Sequence, residues 1–324
     1  MNLAGFQSAI GVMQAAIRLH EPLARYTTAR IGGPADVLVE ADSAQKLQSL
    51  VVAARKWELP VTILGGGANV LVSDNGLRGL VIVNKAKRSE FREGAQVWCE
   101  SGTALPTVAR ECVARGWAGL EWAVGVPGTV GGAVVGNAGA HGRDIAADVL
   151  SATILNETNE VVEWSQEELE FTYRSSRIKR ETRSGKQDAA RMQDAGSRGY
   201  APRTTQYVVL AATFQLTPTD PSELAKQADA FNDYRRRTQP PGASLGSMFK
   251  NPPGEAAGRL IDQCGLKGTR VGDAEISTVH ANFFVNRGQA KASDVKALVD
   301  LAQQQVRERF GIELELEIEL LGEW

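Results

Sequence analysis

The sequence predicts an α+β fold with more than one domain, and three patterns carry that prediction. Residues 35–40 and 60–64 are typical of short strands, and the apolar spacing of 43–57 predicts a helix between them. A strand, a helix and a strand in succession form an α/β unit. The turn-forming residues 217–221 predict a domain boundary, and the apolar residues at every second position of 312–320 predict a final strand.

The part of the chain before that boundary is predicted to be rich in strands. A strand at 94–101 and a helix at 104–115 follow the α/β unit, and strands and turns extend over 149–173. The stretch 180–205 is polar and poor in large apolar residues, which predicts a mobile insertion. A strand at 206–216 closes this part of the chain.

Helices are predicted at both ends of the chain. Apolar residues recur at three- and four-residue steps between 3 and 17, which predicts an amphipathic opening helix rather than an export signal. Beyond the boundary, helices are predicted at about 222–237 and 255–264. Ser293 or Asp294 is expected to cap a further helix.

The composition limits the classes of function. Of the 324 residues, 43% are hydrophobic and 23% are charged, as in ordinary globular proteins. The formal net charge of -2 gives no general positive field for nucleic acid or an anionic membrane, so an anionic ligand needs a local site.

The spacing of the cysteines and histidines argues against disulfide bonds and against a metal site. The three cysteines are scattered and form no Cys-x-x-Cys pair, which argues against a disulfide framework and suits a reducing cytosol. The three histidines share no metal-ligand spacing. No apolar run approaches the roughly 18 residues of a membrane span. We therefore expect a cytoplasmic protein without a bound metal.

Two glycine-rich segments are candidates for ligand binding. The segment 64–76 contains three successive glycines, and backbone N–H groups without a Cβ beside them can approach a phosphate closely. It matches neither the G-x-G-x-x-G nor the Walker A pattern, and a tight turn is the plainer explanation. The segment 119–142 mixes glycines with apolar residues. That mixture is typical of backbone lying against a flat, buried ligand or of a tightly packed turn region.

Three further segments carry polar groups. Residues 244–254 place a hydroxyl, a lysine and an amide before a helix, which is typical of a phosphate site or of a capped helix with a solvated lysine. Residues 171–179 are basic and rich in hydroxyls, as many protein surfaces are. Glutamates share one face of the predicted final strand, and periodicity alone makes them equally exposed: they are Glu313, Glu315, Glu317 and Glu319.

These segments occur in an order that resembles the UDP-N-acetylenolpyruvoylglucosamine reductase (MurB) family. The resemblance runs from about residue 22 to the end, through motifs at 26–36, 64–82, 119–142, 173–176, 246–252, 265–277, 280–286 and 314–322. It implies an FAD-binding domain of the p-cresol methylhydroxylase type at 1–218, with subdomains at about 1–86 and 87–218. A smaller α/β substrate domain follows at 219–324. The shorter subclass, which lacks a tyrosine-bearing loop, is the better fit.

The resemblance also implies the cofactors and the reaction. In this family NADPH reduces FAD, and the flavin N5 gives a hydride to the enolpyruvyl double bond of UDP-N-acetylglucosamine enolpyruvate, which yields UDP-N-acetylmuramate for peptidoglycan. The residues expected to bind FAD are Arg30, Gly65, Gly66, Gly67, Ala68, Asn69, Val126, Pro127, Gly128, Thr129, Gly132, Asn137, Gly139 and Ala140. The expected partners are the UDP-sugar and NADPH, with neither nucleic acid nor a membrane, and we expect a monomer.

The same resemblance assigns roles in catalysis and substrate binding. Hydride addition at C3 develops negative charge through C2 into the carboxylate, and Arg174 is expected to stabilise that enolate. Ser247 is expected to protonate C2, with Glu317 near the same intermediate. The residues expected to bind the substrate are Tyr173, Lys250 and Asn251.

Three positions depart from the family pattern. Ala68 stands where the family usually has a serine, Thr238 stands where a lysine is frequent, and 180–205 is longer than expected. Two other functions stay open. One is a different FAD-dependent oxidoreductase of the same flavin fold, acting on a hydroxy acid or a sugar lactone. The other is a non-catalytic protein that binds flavin or a nucleotide sugar.

Overall fold

The computed structural model describes residues 16–182 and 206–324, which fall into two compact units. Unit 1 comprises the described residues of 1–20, 36–66 and 78–232, and unit 2 those of 21–35, 67–77 and 233–324. The opening helix expected at 3–17 and the insertion expected at 180–205 lie outside the described residues, except at 16–17 and 180–182.

The strands and helices are named in chain order. The strands are β1 (Arg18–Pro22), β2 (Pro34–Ala41), β3 (Val61–Leu64), β4 (Val70–Val72), β5 (Leu77–Asn84), β6 (Ser89–Arg92), β7 (Gln96–Glu100), β8 (Trp117–Ala118), β9 (Gly139–Ala140), β10 (Arg143–Asp144), β11 (Val149–Leu155), β12 (Val161–Ser165), β13 (Val208–Gln215), β14 (Thr217–Pro218), β15 (Ala243–Ser247), β16 (Arg270–Val271), β17 (Ala274–Ile276), β18 (Phe283–Asn286) and β19 (Glu319–Leu321). The helices are α1 (Ala44–Lys56), α2 (Leu105–Ala114), α3 (Val130–Gly136), α4 (Pro221–Thr238), α5 (Ala257–Gln263) and α6 (Ala292–Phe310).

The α/β unit predicted near the start of the chain is present. Its sheet has the order β1-β2-β5-β3, and β3 runs parallel to β5. The hydroxyl of Ser43 accepts a hydrogen bond from Lys46 N and so caps α1. Leu47, Leu50 and Val51 on α1 are buried in the same apolar cluster as the strands, so the predicted helix face is confirmed.

A second sheet supplies the larger core of unit 1. Its order is β12-β11-β13-β7-β6, and every neighbouring pair is antiparallel. Trp122 and Phe214 are fully buried in the cluster that α2 and α3 share with this sheet. Cys99 and Cys112 lie in the same cluster. Burial raises the pKa of the Cys99 thiol and raises that of Cys112 to about 12.

Unit 2 is built on an antiparallel sheet of the order β15-β18-β17-β16. Helices α5 and α6 share its apolar cluster, in which Met248 and Phe249 are fully buried. Burying a phenylalanine stabilises a fold by about 1.5–3 kcal/mol, so the segment after β15 is anchored by its side chains. A separate parallel pair joins β4 to β19.

The predicted final strand is wrong for most of its length. Only Glu319–Leu321 forms a strand, parallel to β4. Earlier residues bond to a different neighbour, because Lys250 N donates to Glu315 O and Glu317 N donates to Met248 O. The segment therefore changes partners midway, and no continuous ladder forms. Two of the apolar residues predicted for the inner face of this strand, Leu314 and Ile318, are nevertheless buried.

The start of α6 also differs from the prediction. The helix begins at Ala292 and its N-cap is Lys291, but Asp294 does take part in capping, because its carboxylate accepts a hydrogen bond from Lys291 N (2.9 Å). The carboxylate of Asp74 accepts hydrogen bonds from Ala292 N (2.7 Å) and Ser293 N (2.9 Å). Burial opposes ionisation of Asp74, but the bonds from Ser293 and Ala292 outweigh it and leave the pKa below its usual value.

Within the described ranges, no helix combines the length and the apolar character that crossing a membrane requires.

Candidate active site

In unit 1, Gly65, Gly66 and Gly128 form a stretch of backbone without side chains, which we call the glycine cradle. A Cβ added at Gly65 would overlap the hydroxyl of Thr129, and one added at Gly66 would lie 3.2 Å from Gly128 Cα. Gly128 itself has a φ of 126°, and no atom of residues 16–182 and 206–324 lies within 4 Å of a Cβ built on it. The exposed backbone at Gly66 and the open space at Gly128 fit a phosphate or a flat ligand resting on main chain.

The rest of the first glycine loop belongs to unit 2. Gly67 has a φ of 61°, and a side chain there would overlap Tyr26 O, so the fold itself requires glycine. Ala68 is half-buried and Asn69 is exposed. The Asn69 amide donates to Glu317 O (3.1 Å), and Glu319 N donates to Asn69 O (2.9 Å). Unit 2 thus places this predicted FAD-binding residue beside the predicted catalytic glutamate.

Arg30, another predicted FAD-binding residue of unit 2, lies in an unusual backbone conformation. Its φ is 56° and its side chain is exposed. Its N–H donates to Thr27 O (3.1 Å), and the Thr27 hydroxyl donates to Ile31 O (2.8 Å). Non-glycine residues held at positive φ carry strain that often marks a functional site.

The second glycine segment gives unit 1 its remaining predicted FAD-binding residues. Pro127 and Gly132 are exposed, whereas Val126, Gly139 and Ala140 are half-buried. Around Gly132, a built Cβ would meet only the Thr129 hydroxyl, at 3.6 Å. This segment therefore combines open backbone with partly covered residues.

Asn137 is buried in the left-handed conformation that ends α3. Its amide donates to Thr172 O (3.0 Å) and to Asp144 Oδ2 (3.1 Å), and its oxygen accepts from Ala146 N. The two N–H groups and the carbonyl of the side chain are thus engaged within the protein. Asn137 ties the glycine segment to the loop that carries Arg174.

Arg174 is held in a strained loop of unit 1. It is half-buried with a φ of 56°, and its guanidinium donates to Gly139 O (2.8 Å). The Lys179 ammonium donates to Arg174 O (3.3 Å), and the guanidinium carbon lies 5.1 Å from the ring centre of Tyr173. The structure therefore brings Tyr173, Arg174, Asn137 and Gly139 together.

Ser247 lies at the end of β15, opposite Phe283 of β18. The register shifts between Ser244 and Ser247, and Gly246 within the shift has a φ of 77°. Such a bulge re-aims the following side chain. Because Glu317 N donates to Met248 O (2.9 Å), Ser247 and Glu317 lie on neighbouring segments of unit 2.

The four glutamates of the C-terminal segment are not equivalent, which corrects the expectation of equal exposure. Glu313 and Glu315 are exposed, whereas Glu317 and Glu319 are half-buried. The Lys250 ammonium forms an ion pair with Glu315 Oε1 at 2.5 Å. Asn251 Oδ1 accepts from Ala257 N (3.1 Å) at the start of α5, so both predicted substrate-binding residues also serve the fold.

One residue beside this site had no role in the sequence analysis. Asn282 is 3% exposed, and its side chain bonds to both backbone groups of Phe249. The only sequence signal was its place in the motif at 280–286. Over 16–182 and 206–324, no three His, Cys, Asp or Glu side chains are arranged to hold a metal ion.

Comparisons with known proteins identify two families in the chain. Residues 35–165 match the FAD binding domain family, and residues 238–321 match the C-terminal domain of UDP-N-acetylenolpyruvoylglucosamine reductase. Together they agree with the α+β fold class expected from the sequence.

Whole-chain relatives extend these matches. The UDP-N-acetylenolpyruvoylglucosamine reductase of Chloroflexus aggregans is 43% identical over 94% of this chain and 97% of its own length. That of Rubrobacter xylanophilus is 44% identical over 95% and 96%. The crystal structure of the Thermus caldophilus enzyme is 34% identical, covers 95% of this chain and 99% of its own, and superimposes with a TM-score of 0.75. Identity at this level over nearly the full length of both chains shows that this chain belongs to the UDP-N-acetylenolpyruvoylglucosamine reductase family.

Proposed function

We infer that the chain is an FAD-dependent oxidoreductase of the UDP-N-acetylmuramate dehydrogenase type. It uses NADPH to reduce UDP-N-acetylglucosamine enolpyruvate to UDP-N-acetylmuramate, a precursor of peptidoglycan. The observation that carries this function is the alignment of nearly the whole chain with reductases of that name. The glycine cradle of unit 1 fits the cofactor that the function requires.

The cradle supports the assignment of FAD-binding residues. Gly66 and Gly128 present backbone that a side chain would cover, and the missing side chain of Gly65 lets the Thr129 hydroxyl lie beside them. Bound FAD supplies the hydride, which it takes from NADPH. In unit 2, Arg30, Ala68 and Asn69 are proposed as further contacts, and the methyl group of Ala68 offers no hydrogen bond to a phosphate.

Ser247 is proposed as the proton donor to C2 of the substrate. A hydroxyl is a weak acid in water, so the role needs a fixed position with little solvent. Both neighbours on its C-terminal side, Met248 and Phe249, are fully buried. Those anchors and the bulge at Gly246 support the assignment because they fix where the hydroxyl points.

Two charged side chains complete the proposed catalytic set. Arg174 stabilises the negative charge of the enolate with its positively charged guanidinium. Its bond to Gly139 O supports the role, because it fixes the side chain. Glu317 is half-buried, unlike Glu313 and Glu315. Its N–H donates a hydrogen bond to Met248 O within residues 247–250, which we call the serine segment.

Lys250 and Asn251 are proposed to hold the diphosphate of the substrate. The side chain of Lys250 is 15% exposed and already balances one carboxylate, that of Glu315. A diphosphate offers the ammonium a second, more highly charged partner. Thr238 uses its hydroxyl to donate to Tyr234 O (2.8 Å) at the end of α4, so we assign it no substrate contact.

Three broader predictions belong to this proposal. Residues 1–218 act as the FAD-binding domain and 219–324 as the substrate domain, which the separate family matches at 35–165 and 238–321 support. The enzyme acts as a monomer. It works in the cytoplasm, where NADPH and nucleotide sugars are made.

A visible spectrum of the purified protein tests the function. Absorbance at about 450 nm reports bound flavin. Under anaerobic conditions, NADPH is expected to bleach this absorbance by reducing the flavin. Adding UDP-N-acetylglucosamine enolpyruvate is then expected to restore the absorbance. Bleaching without restoration would instead favour an oxidoreductase with another substrate, such as a hydroxy acid or a sugar lactone, which the same assay can screen.

A further inference from the structure

The side chain of Asn282 forms a two-bond clamp on the segment that follows Ser247. Phe249 N donates to Asn282 Oδ1 (2.9 Å), and Asn282 Nδ2 donates to Phe249 O (2.8 Å). Met248 N also donates to Asn282 O (2.7 Å). Asn282 immediately precedes β18 and therefore extends the pairing of β15 and β18 by one residue, and its amide side chain then takes the place of a further strand residue.

The other side of the same segment is bonded to the C-terminal segment. Met248 O accepts from Glu317 N (2.9 Å), and Lys250 N donates to Glu315 O (2.8 Å). An isolated antiparallel bridge pairs Phe249 with Leu316. Residues 248–250 thus form the middle of a short three-part ladder whose outer members are Asn282 and 315–317.

A primary amide is suited to this place. It offers a donor and an acceptor in one plane, as a peptide group does. Asn282 is 3% exposed, so water cannot substitute for either bond. The clamp fixes the backbone two residues after Ser247 and, through Met248, the backbone of Glu317.

We propose that Asn282 is a positioning residue for the reaction, which holds Ser247 and Glu317 in register with each other. The inference rests on the proposed function. A general acid works only within hydrogen-bond reach of its target, and a displacement of about 1 Å can cost about 10²-fold in rate. Loss of the clamp therefore slows the step in which Ser247 acts and leaves the reduction of the flavin by NADPH unchanged.

Asn282→Asp turns the clamp into a pH-dependent one. A carboxylate keeps an acceptor for Phe249 N but has no donor for Phe249 O, whereas a protonated carboxyl group offers both. Burial beside a carbonyl oxygen raises the pKa of the introduced carboxyl group. The clamp is then absent at high pH and restored as the pH falls.

Asn286→Asp is the matched control. Asn286 is the last residue of β18, four positions after Asn282; it donates to Ala29 O (2.9 Å) and accepts from Gly288 N and Ala290 N. The variant makes the same chemical change without touching 247–250. The groups that titrate around the clamp are His280 on its own turn, Lys250 on the serine segment, and Glu315 and Glu317 on the C-terminal segment. All four are present in the wild type and in both variants, and His280 is the nearest, because its Nδ1 accepts a hydrogen bond from Asn282 N (3.2 Å).

The experiment measures two rates by stopped flow between about pH 5.5 and 8.5. One is bleaching of the flavin by NADPH, and the other is reoxidation by UDP-N-acetylglucosamine enolpyruvate. For Asn282→Asp we expect reoxidation to be about 10-fold or more slower than wild type at the high end, and the ratio to approach one at the low end. Asn286→Asp should give a flat ratio. Exchange of the Phe249 amide hydrogen, measured at the high pH, should accelerate only in Asn282→Asp.

The outcomes distinguish failure of the proposed function from failure of the inference about Asn282. A wild-type enzyme that the substrate does not reoxidise would overturn the function and the inference together. Normal wild-type reoxidation with the same flat ratio for both variants would overturn the inference alone. If Asn282→Asp does not fold, Asn282→Gln keeps the amide and moves it by one carbon. It should slow reoxidation without recovery at low pH, and a wild-type rate in that variant would also refute the clamp.

Discussion

The glycine cradle of unit 1 and the serine segment of unit 2 are built in opposite ways. At the cradle, Gly66 and Gly128 leave backbone uncovered. At the serine segment, the N–H and C=O of Met248 and Phe249 all have partners within unit 2. In the cradle, the main chain can bind a ligand directly. In the serine segment, the backbone groups already have partners, so only side chains can act on the substrate. Substitutions in the two regions should therefore fail in different assays.

The largest effect is expected from removing the serine hydroxyl. Ser247→Ala should slow reoxidation by the substrate by about 10²-fold or more, the usual scale for losing a general acid. Flavin content and bleaching by NADPH should stay near wild type, because the hydroxyl acts only in the half-reaction with the substrate, where its proton traps the enolate and keeps the hydride from returning to the flavin. Stopped-flow absorbance measures both halves, and Ser244→Ala on the same strand is the control. Equal slowing of both halves would point to a binding defect and remove the acid role.

The next effect distinguishes the four C-terminal glutamates. Glu317→Gln should slow reoxidation on the order of 10²-fold, because it removes a charge at the reacting group. Glu313→Gln and Glu319→Gln should change stability by less than about 0.5 kcal/mol and leave turnover near wild type. Glu315→Gln should alter chiefly the KM for the substrate, since Glu315 pairs with Lys250. Normal turnover in all four variants would remove Glu317 from the proposed site.

A change in the cradle should alter flavin content instead. Gly66→Val places a branched side chain where a Cβ already lies 3.2 Å from Gly128 Cα, so we expect colourless, folded protein. The ratio of flavin to protein absorbance measures the effect, and thermal unfolding checks the fold. Gly288→Val is the control, because a Cβ built there is similarly close to a neighbour, 3.1 Å from the Asp273 carboxylate, but lies outside the cradle. Normal flavin content in Gly66→Val would break the contrast between the two regions.

The smallest effect concerns the carboxylate that begins α6. The pKa of Asp74 is lowered in the fold, so its contribution to stability is present at neutral pH and is lost as the pH falls through the carboxyl range near 4. Asp74→Asn should lower the free energy of unfolding at pH 7 by about 0.5 kcal/mol, as for a charge at a helix N-terminus. That difference should shrink below about pH 4. An equal loss at pH 7 and below about pH 4 would show that the charge of Asp74 does not stabilise the start of α6.

Local patterns in the sequence predicted much of the fold. The apolar face of 43–57 predicted α1 within one residue at each end, because a helix face is a local feature of the sequence. The start of α6 could not be predicted in the same way, since the carboxylate bonded to its first N–H groups is that of Asp74, 218 positions away.

The candidate site shows the same limit. Periodicity made the four glutamates look alike, yet Glu317 differs from Glu315 because its segment changes partners from 248–250 to β4. Asn282 offered no local signal, because its role depends on bonds to Phe249, 33 residues earlier. The motifs located the site, and the long-range bonds distinguish its residues.

The burial of Cys99 and Cys112 in unit 1 affects how well the enzyme resists oxidation during turnover in the presence of oxygen. Reduced flavins react with oxygen and release hydrogen peroxide, which attacks the thiolate form of cysteine. Burial raises the pKa of Cys112 to about 12, which keeps it as the unreactive neutral thiol at pH 7. Cys99 is buried with it and its pKa is also raised. Turnover in the presence of oxygen should therefore leave both sulfur atoms unmodified, and the core they fill should resist oxidative damage.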